Sequence, residues 1–316
     1  MSQGQICKLP FRALSFLLLL LAFTGCSSEV IRRDAVGQLT SPIVPLDSLN
    51  TVRNKVVLLN LFNESPYGGE DLAFTATQEL VTELSRTGQF VFEMNAADSM
   101  GDSKSIYNGA GINLVQIGKK AKQLGVNFVF FGRITEARVR DRPDDVGLIR
   151  ETKSFTESKI ELKIFDVQQN KIIFNQLFHG YAADNSYNFY LADKEENILR
   201  RQDLLRYGVK VAVRRSIPTL LQLAGRWPWS GRVAKIAGDK IYINSGKNSG
   251  LQLGDILKVF SDGDEIYDPE TGALMGQTKG EIKGNLEIID FFGTDGAISI
   301  LHSGGTVDEG DFVKLY

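Results

Sequence analysis

Two near-continuous apolar runs of strand length constrain this chain more than any other feature: Lys55-Val-Val-Leu-Leu-Asn-Leu-Phe62 and Val126-Asn-Phe-Val-Phe-Phe131. A strand with one wet face alternates apolar and polar side chains, so a run without alternation predicts a strand buried on both faces. Such a sheet needs covers on both sides, and the intervening sequence supplies helices. Glu70 to Arg86 places Phe74, Leu80, Val81 and Leu84 near one helical face, with Gly88 past the last turn as a C-cap. Asn63 to Gly69 is turn chemistry, Phe90-Val-Phe92 is a short strand, and 95 to 109 is a polar loop. Ile112 to Leu124 is then a second amphipathic helix closed by Gly125.

Further on, Lys159 to Asp166 alternates with Ile160, Leu162 and Ile164 inward. Gln168-Gln169-Asn170 makes a turn, and Lys171 to Tyr181 is the antiparallel return. A long helix, Glu195 to Leu223, carries Ile198, Leu205, Val209, Val213, Ile217 and Leu220. Helices alternating with strands and then a hairpin imply a mixed α/β sheet. After residue 230 the glycines crowd, and short strands alternate with tight turns such as Asp268-Pro-Glu-Thr-Gly272. Gly250-Leu-Gln-Leu-Gly-Asp255 and Gly305-Thr-Val-Asp-Glu-Gly-Asp311 echo each other, each ahead of an apolar strand, which suits a small barrel of bent strands. The expected class is α+β: a mixed α/β domain over 54–225 followed by a small all-β barrel over 226–316. The length of 316 residues agrees with two domains. Trp227-Pro-Trp229 lies at the junction, where two aromatics around a proline predict packing rather than a ligand platform.

Ahead of the first strand the chain changes character. Its two cysteines, Cys7 and Cys26, both precede residue 27. Lys8 and Arg12 form a short positive region, and Ala13 to Phe23 is an apolar run too short for a bilayer, which takes about 20 residues. These flanks match a secretory signal peptide over 1–25. Phe23-Thr24-Gly25-Cys26 resembles the lipobox of bacterial lipoproteins. That resemblance implies cleavage between Gly25 and Cys26, a thioether-linked lipid on the Cys26 thiol and acylation of its new amino terminus. Ser27 in place of aspartate implies passage to the outer membrane. Residues 26–53 have no lasting periodicity and read as a flexible tether.

The run KVVLLNLFNES, the glycine-closed helix leading to GQFVFEM, and KKAKQLGVNFVFFGRI resemble the domain shared by the curli-export lipoprotein CsgG, the TolB amino-terminal domain and the flagellar protein FlgT. The later stretches GDKIYINSG, GLQLGDILKV and DPETG resemble the carboxy-terminal SH3-like barrel of FlgT. The resemblance implies an outer-membrane lipoprotein that scaffolds envelope machinery, such as a flagellum or an appendage-export system. Two alternatives follow from the same families: a secretion-pore subunit, and a lipoprotein activator of a cell-wall synthase. The implied partners are the outer membrane through the lipid and an envelope complex of flagellar, secretion or cell-wall type, with homo-oligomerisation open.

No constellation of catalytic residues stands out. His179 and His302 are far apart in predicted strands, whereas a metal site needs three or four convergent ligands. No cysteine thiol survives lipidation, so a non-enzymatic chain without cofactor or metal is expected. Asp262-Gly-Asp-Glu265 with Asp268 lacks the spacing of a calcium loop and reads as a solvated turn. Arg200, Arg201, Arg206, Lys210, Arg214 and Arg215 stud one helix, but a formal charge of −2 and a secretory signal argue against nucleic acid. A solvated face or a partner contact is the expectation there.

Charge also bears on the pore. The hairpin from Ile134 to Lys159 carries Arg138, Arg140, Asp141, Arg142, Asp144, Asp145, Arg150, Glu151 and Lys153. Strict alternation puts Ile134, Glu136, Arg138, Arg140 and Arg142 on one face, and Arg133, Thr135, Ala137, Val139 and Asp141 on the other. A lipid-facing arginine costs about 2–4 kcal/mol at the midplane, so neither face suits a membrane. Leu177, His179, Tyr181, Ala183, Tyr187, Phe189 and Leu191 share a side of a second candidate strand, but its return through Lys194 to Arg201 is charged. A solvated hairpin is expected instead.

Overall fold

The computed structural model describes residues 52–93, 100–101, 103–108, 111–143, 152–184, 194–272 and 274–316. All belong to one compact unit, Leu46–Tyr316. Gly25 and Cys26, with most of the signal and tether, lie outside the described residues. So do residues 144–151 and 185–193, which include Tyr187, Phe189 and Leu191.

The first half is built on a mixed sheet. Its elements are β1 (Asn54–Leu58), β2 (Phe62–Asn63), α1 (Gly69–Thr87), β3 (Phe90–Phe92), α2 (Ser103–Ile106), β4 (Tyr107–Asn108), β5 (Gly111–Ile112), α3 (Leu114–Leu124), β6 (Phe128–Pro143), β7 (Thr152–Asp166), β8 (Lys171–Asp184) and α4 (Lys194–Ala224). The strand order is β3-β1-β6-β7-β8, with β2 continuing beside β6. β1 runs parallel to β3 and β6, while β6, β7 and β8 form an antiparallel meander. Successive residues of β1 enter opposite cores, as the unalternated run requires. Val56 and Leu58 point with Phe128, Phe130, Ile160 and Ile164 toward α1 and α4. Val57 and Leu59 point with Val129, Phe131 and Phe165 toward Ile117 and Ala121 of α3.

Several details differ from simple periodicity. Phe74 is exposed, and α1 buries Leu72, Ala73, Ala76, Thr77, Leu80 and Leu84 instead. Ile198 is likewise exposed, and among the described residues the buried hydrophobics of α4 begin at Leu204. The second helix begins at Leu114, where the Asn113 side chain accepts the Gln116 backbone N–H at 3.2 Å as an N-cap. Part of the expected polar loop is α2 and β4. In β6 a bulge between Ile134 and Glu136 resets the alternation. Ile134 therefore shares the helix-covered face with Ala137 and Val139, while Glu136, Arg138 and Arg140 turn to the open face. Among the described residues, the charged groups Glu136, Arg138 and Arg140 put the solvated side of the hairpin on that face. Lys194 to Arg201, too charged for the returning strand a pore would need, opens α4, which runs over the long helix expected from Glu195.

The second half contains β9 (Gly231–Ala237), β10 (Lys240–Ile243), β11 (Ile256–Phe260), β12 (Glu265–Tyr267), β13 (Leu274–Gln277), β14 (Ile282–Phe292), β15 (Gly296–Gly304) and β16 (Phe312–Leu315). Six of these close into a barrel in the order β10-β15-β14-β11-β16-β9, filled by Val233, Ile243, Leu257, Val259, Leu286 and Ile288. The two echoing turns are one device used twice. Asp255 accepts the Gln252 backbone N–H at 2.8 Å, and Asp311 accepts that of Asp308 at 2.8 Å, each just before a barrel strand. β12 and β13 form a separate hairpin between β11 and β14. The architecture is thus α+β, a helix-covered mixed sheet followed by a small closed barrel.

Candidate functional site

The residues singled out in the sequence do not converge on one another. His179 lies exposed on the edge strand β8, where its backbone carbonyl accepts Arg215 at 2.8 Å. His302 is on the barrel, 3.6 Å from Glu287. Among the described residues no group of three His, Cys, Asp or Glu side chains could hold a metal ion. In the acidic turn, Asp262 pairs with Lys122 at 3.7 Å, and Asp268 accepts the N–H groups of Glu270 and Thr271. No helix among the described residues is long and apolar enough to cross a membrane, which leaves strands aside.

The basic residues of α4 are partly exposed but pair largely with carboxylates of the same fold. Arg206 meets Asp71 at 2.8 Å, and Arg214 meets Glu79 at 2.7 Å and Glu83 at 3.5 Å, all on α1. Lys210 also reaches Glu79, at 3.7 Å, and Arg201 reaches Asp141 of β6 at 2.9 Å. This ladder pins α4 to α1, a pairing the sequence of one helix cannot reveal. On the open sheet face, Arg133 bridges Glu64 and Glu161, and Lys163 meets Glu161 at 3.1 Å. Burial opposes ionisation of Glu161, but hydrogen bonds from Lys163 and Arg133 prevail and hold its carboxyl below the ordinary 4.5. Tyr107 lies between the Arg133 and Lys163 cations, and burial, reinforced by the charge of Glu161, pushes its phenol far above its usual range.

The junction between sheet and barrel brings the most chemistry together. Trp227 stacks on Phe128 at 4.3 Å and joins the core under α4. Two residues on, Trp229 is buried in the barrel core. The two aromatics thus plug different cores, with Pro228 between them. Asn127, just before β6, donates to the Ser230 carbonyl and hydroxyl at 2.6 and 2.8 Å. Asn244, just after β10, donates to the Gly125 carbonyl at 2.8 Å, at the end of α3. Lys55 reaches across to the Asn244 carbonyl and pairs with Asp295 at 3.2 Å, both side chains nearly buried. Val52 and Arg53, at the end of the segment read as a tether, rest on the barrel, where Arg53 N–H donates to the Ser249 carbonyl at 2.7 Å.

Beside this junction opens a cleft of about 640 Å³. One wall is the Gln168–Lys171 turn between β7 and β8, and the other is the chain around the β12–β13 hairpin. Asp166 fixes the first wall by accepting the Gln169 backbone and side-chain N–H groups at 2.9 and 2.8 Å, and burial raises its pKa. Asn170 in that wall has φ 51°, the one positive φ outside glycine among the described residues. Behind the other wall, Arg232 donates to the carbonyls of Lys122 and Gly310 and lies over the Phe312 ring. Burial depresses its guanidinium below its ordinary value. Sequence reading missed this cleft because its lining comes from segments roughly 90 to 150 positions apart that only docking of the two lobes brings together.

No family model and no curated protein matches the chain. Solved structures do resemble it, at low identity. The hypothetical protein CT253 of Chlamydia trachomatis is 14% identical, with 55% of this chain and 96% of that one covered at a TM-score of 0.35. Lipoprotein GNA1162 of Neisseria meningitidis is 15% identical, covering 48% of this chain and 97% of that one at a TM-score of 0.26. The LpoB C-terminal domain of Salmonella enterica is 15% identical, covering 43% and 86% at a TM-score of 0.26.

Proposed function

We propose that this chain is a lipid-anchored, non-enzymatic scaffold of the bacterial cell envelope, held on the outer membrane by Cys26 with its body in the periplasm. The observation that carries the reading is Leu17 to Ser28, an apolar run ending in Thr24-Gly25-Cys26 and two serines. Three acyl chains there exceed the two anchoring signals that stable attachment needs. The body is suited to holding partners at fixed spacing, because polar contacts and the Lys55–Asp295 pair lock the lobes. Flagellar or appendage-export machinery is the partner class this reading favours. A pore subunit is disfavoured, since β6 and β7 carry cross-strand ion pairs on one face and α4 on the other.

The test is Cys26→Ala in the native envelope. The wild-type chain is expected in the outer-membrane fraction with the mass of a cleaved, acylated protein. The variant should be uncleaved or soluble and lack acyl mass. An outer-membrane variant of unchanged mass would overturn the reading.

A further inference from the structure

The cleft beside the junction gathers lysines from both lobes. On the open sheet face and between α1 and α4, cations meet carboxylates. Around the cleft, Lys171, Lys279 and Lys314 make no ion pair among the described residues, and the lining's one acid, Asp262, is held by Lys122. Lys314 lies over the Phe260 ring, which keeps its ammonium at the mouth rather than free to swing away. Between the lysines the lining is mixed, with Phe260, Phe312 and Met275, the last 69% exposed, beside Gln168, Asn170, Ser261 and Thr278.

We infer that this cleft binds an extended acidic segment of a partner protein, one that alternates carboxylates with apolar side chains. The three cations come from both lobes, and about 640 Å³ far exceeds a phosphate. A segment lying between the walls can set carboxylates against Lys171 on one side and Lys279 and Lys314 on the other, while its apolar groups meet Met275 and Phe260. Because one wall belongs to each lobe, the bound segment reads the junction itself. This deepens the scaffold reading and rests on it, yet the two fail separately: acylation at Cys26 is measured without the cleft, and peptide binding without the lipid.

The experiment titrates the full chain with a fluorescein-labelled synthetic peptide of alternating glutamate and leucine, beside the same peptide with glutamine for glutamate. Saturable binding of the acidic peptide is expected, with the glutamine peptide about tenfold weaker or more. Lys279→Glu combined with Lys314→Glu should weaken the acidic peptide by a similar factor, and Met275→Asp should weaken it as well. Lys247→Glu, a charge reversal on the barrel outside the lining, should leave binding unchanged, and thermal unfolding of each variant checks that the fold is intact. No saturable binding, equal weakening by Lys247→Glu, or full displacement by inorganic phosphate would each overturn the inference.

Discussion

Glu161 accepts Arg133 Nε at 2.7 Å, lies 3.1 Å from Lys163 Nζ, and stands beside Tyr107 on the sheet face next to α3. Its folded pKa is lowered despite burial, because the two cations outweigh desolvation. The sign follows. The unfolded chain takes up the proton first as pH falls, so the stability this group contributes is complete above its ordinary 4.5 and is lost as pH drops through the lower folded value. Glu161→Gln should lower the melting temperature at neutral pH and shrink the further loss between about pH 6 and pH 3, measured by thermal unfolding across that range. An unchanged acid slope would show that the carboxylate is not coupled to folding. At this scale the sequence is a poor guide. Alternation placed Glu161 on the polar side of β7, but its partners Arg133 and Tyr107 come from other elements, and nothing local names them.

Elements were the most legible level. The runs at 55–62 and 126–131 demanded two covered faces and obtained them, and Gly88 and Gly125 cap their helices at φ 63° and 65°. Periodicity failed where tertiary contact overrides it: at the β6 bulge, which no residue type announces, and at Ile198, which stays exposed near the start of α4. The contact of α4 with the sheet depends on bare backbone. A Cβ added at Gly208 would sit 2.3 Å from Thr156 Cγ2 and 2.7 Å from Ser158 Oγ, and one at Gly180 would sit 2.0 Å from the Gly208 carbonyl oxygen. Thr156 and Ser158 are fully buried on β7, and a branched side chain there has little room to move. Gly208→Ala would gain helix propensity at an exposed site; here it should instead destabilise by about 1–3 kcal/mol through overpacking. Denaturant unfolding decides between the signs, and a stabilised variant would mean that the helix can lift off the strand freely.

Across the whole molecule, the two lobes follow one another in sequence yet are joined by buried polar groups rather than by a linker alone. Lys55 comes from the first strand of the sheet and Asp295 from the turn between β14 and β15, so this pair spans most of the chain. Asp295 is also the acceptor for the Gly246 and Ser249 N–H groups and the Ser249 hydroxyl. The barrel loop is therefore organised around the same carboxylate that receives the lysine. Removing one member of a buried pair leaves the other uncompensated, at a cost of about 3–5 kcal/mol. Lys55→Met strands Asp295 with neutral donors that still satisfy it, so its loss should fall on the contact between lobes. Asp295→Ala also unmakes the loop and should be the more damaging change. Calorimetry should show one unfolding transition for the wild-type chain, because the lobes share these contacts and unfold together. Lys55→Met combined with Asn127→Ala, which also removes the bonds to Ser230, should split it into two, with the barrel melting as its own unit. Two transitions already in the wild type, neither moved by the double substitution, would mean that the junction is only contact and that the lobes are two independent bodies instead of one.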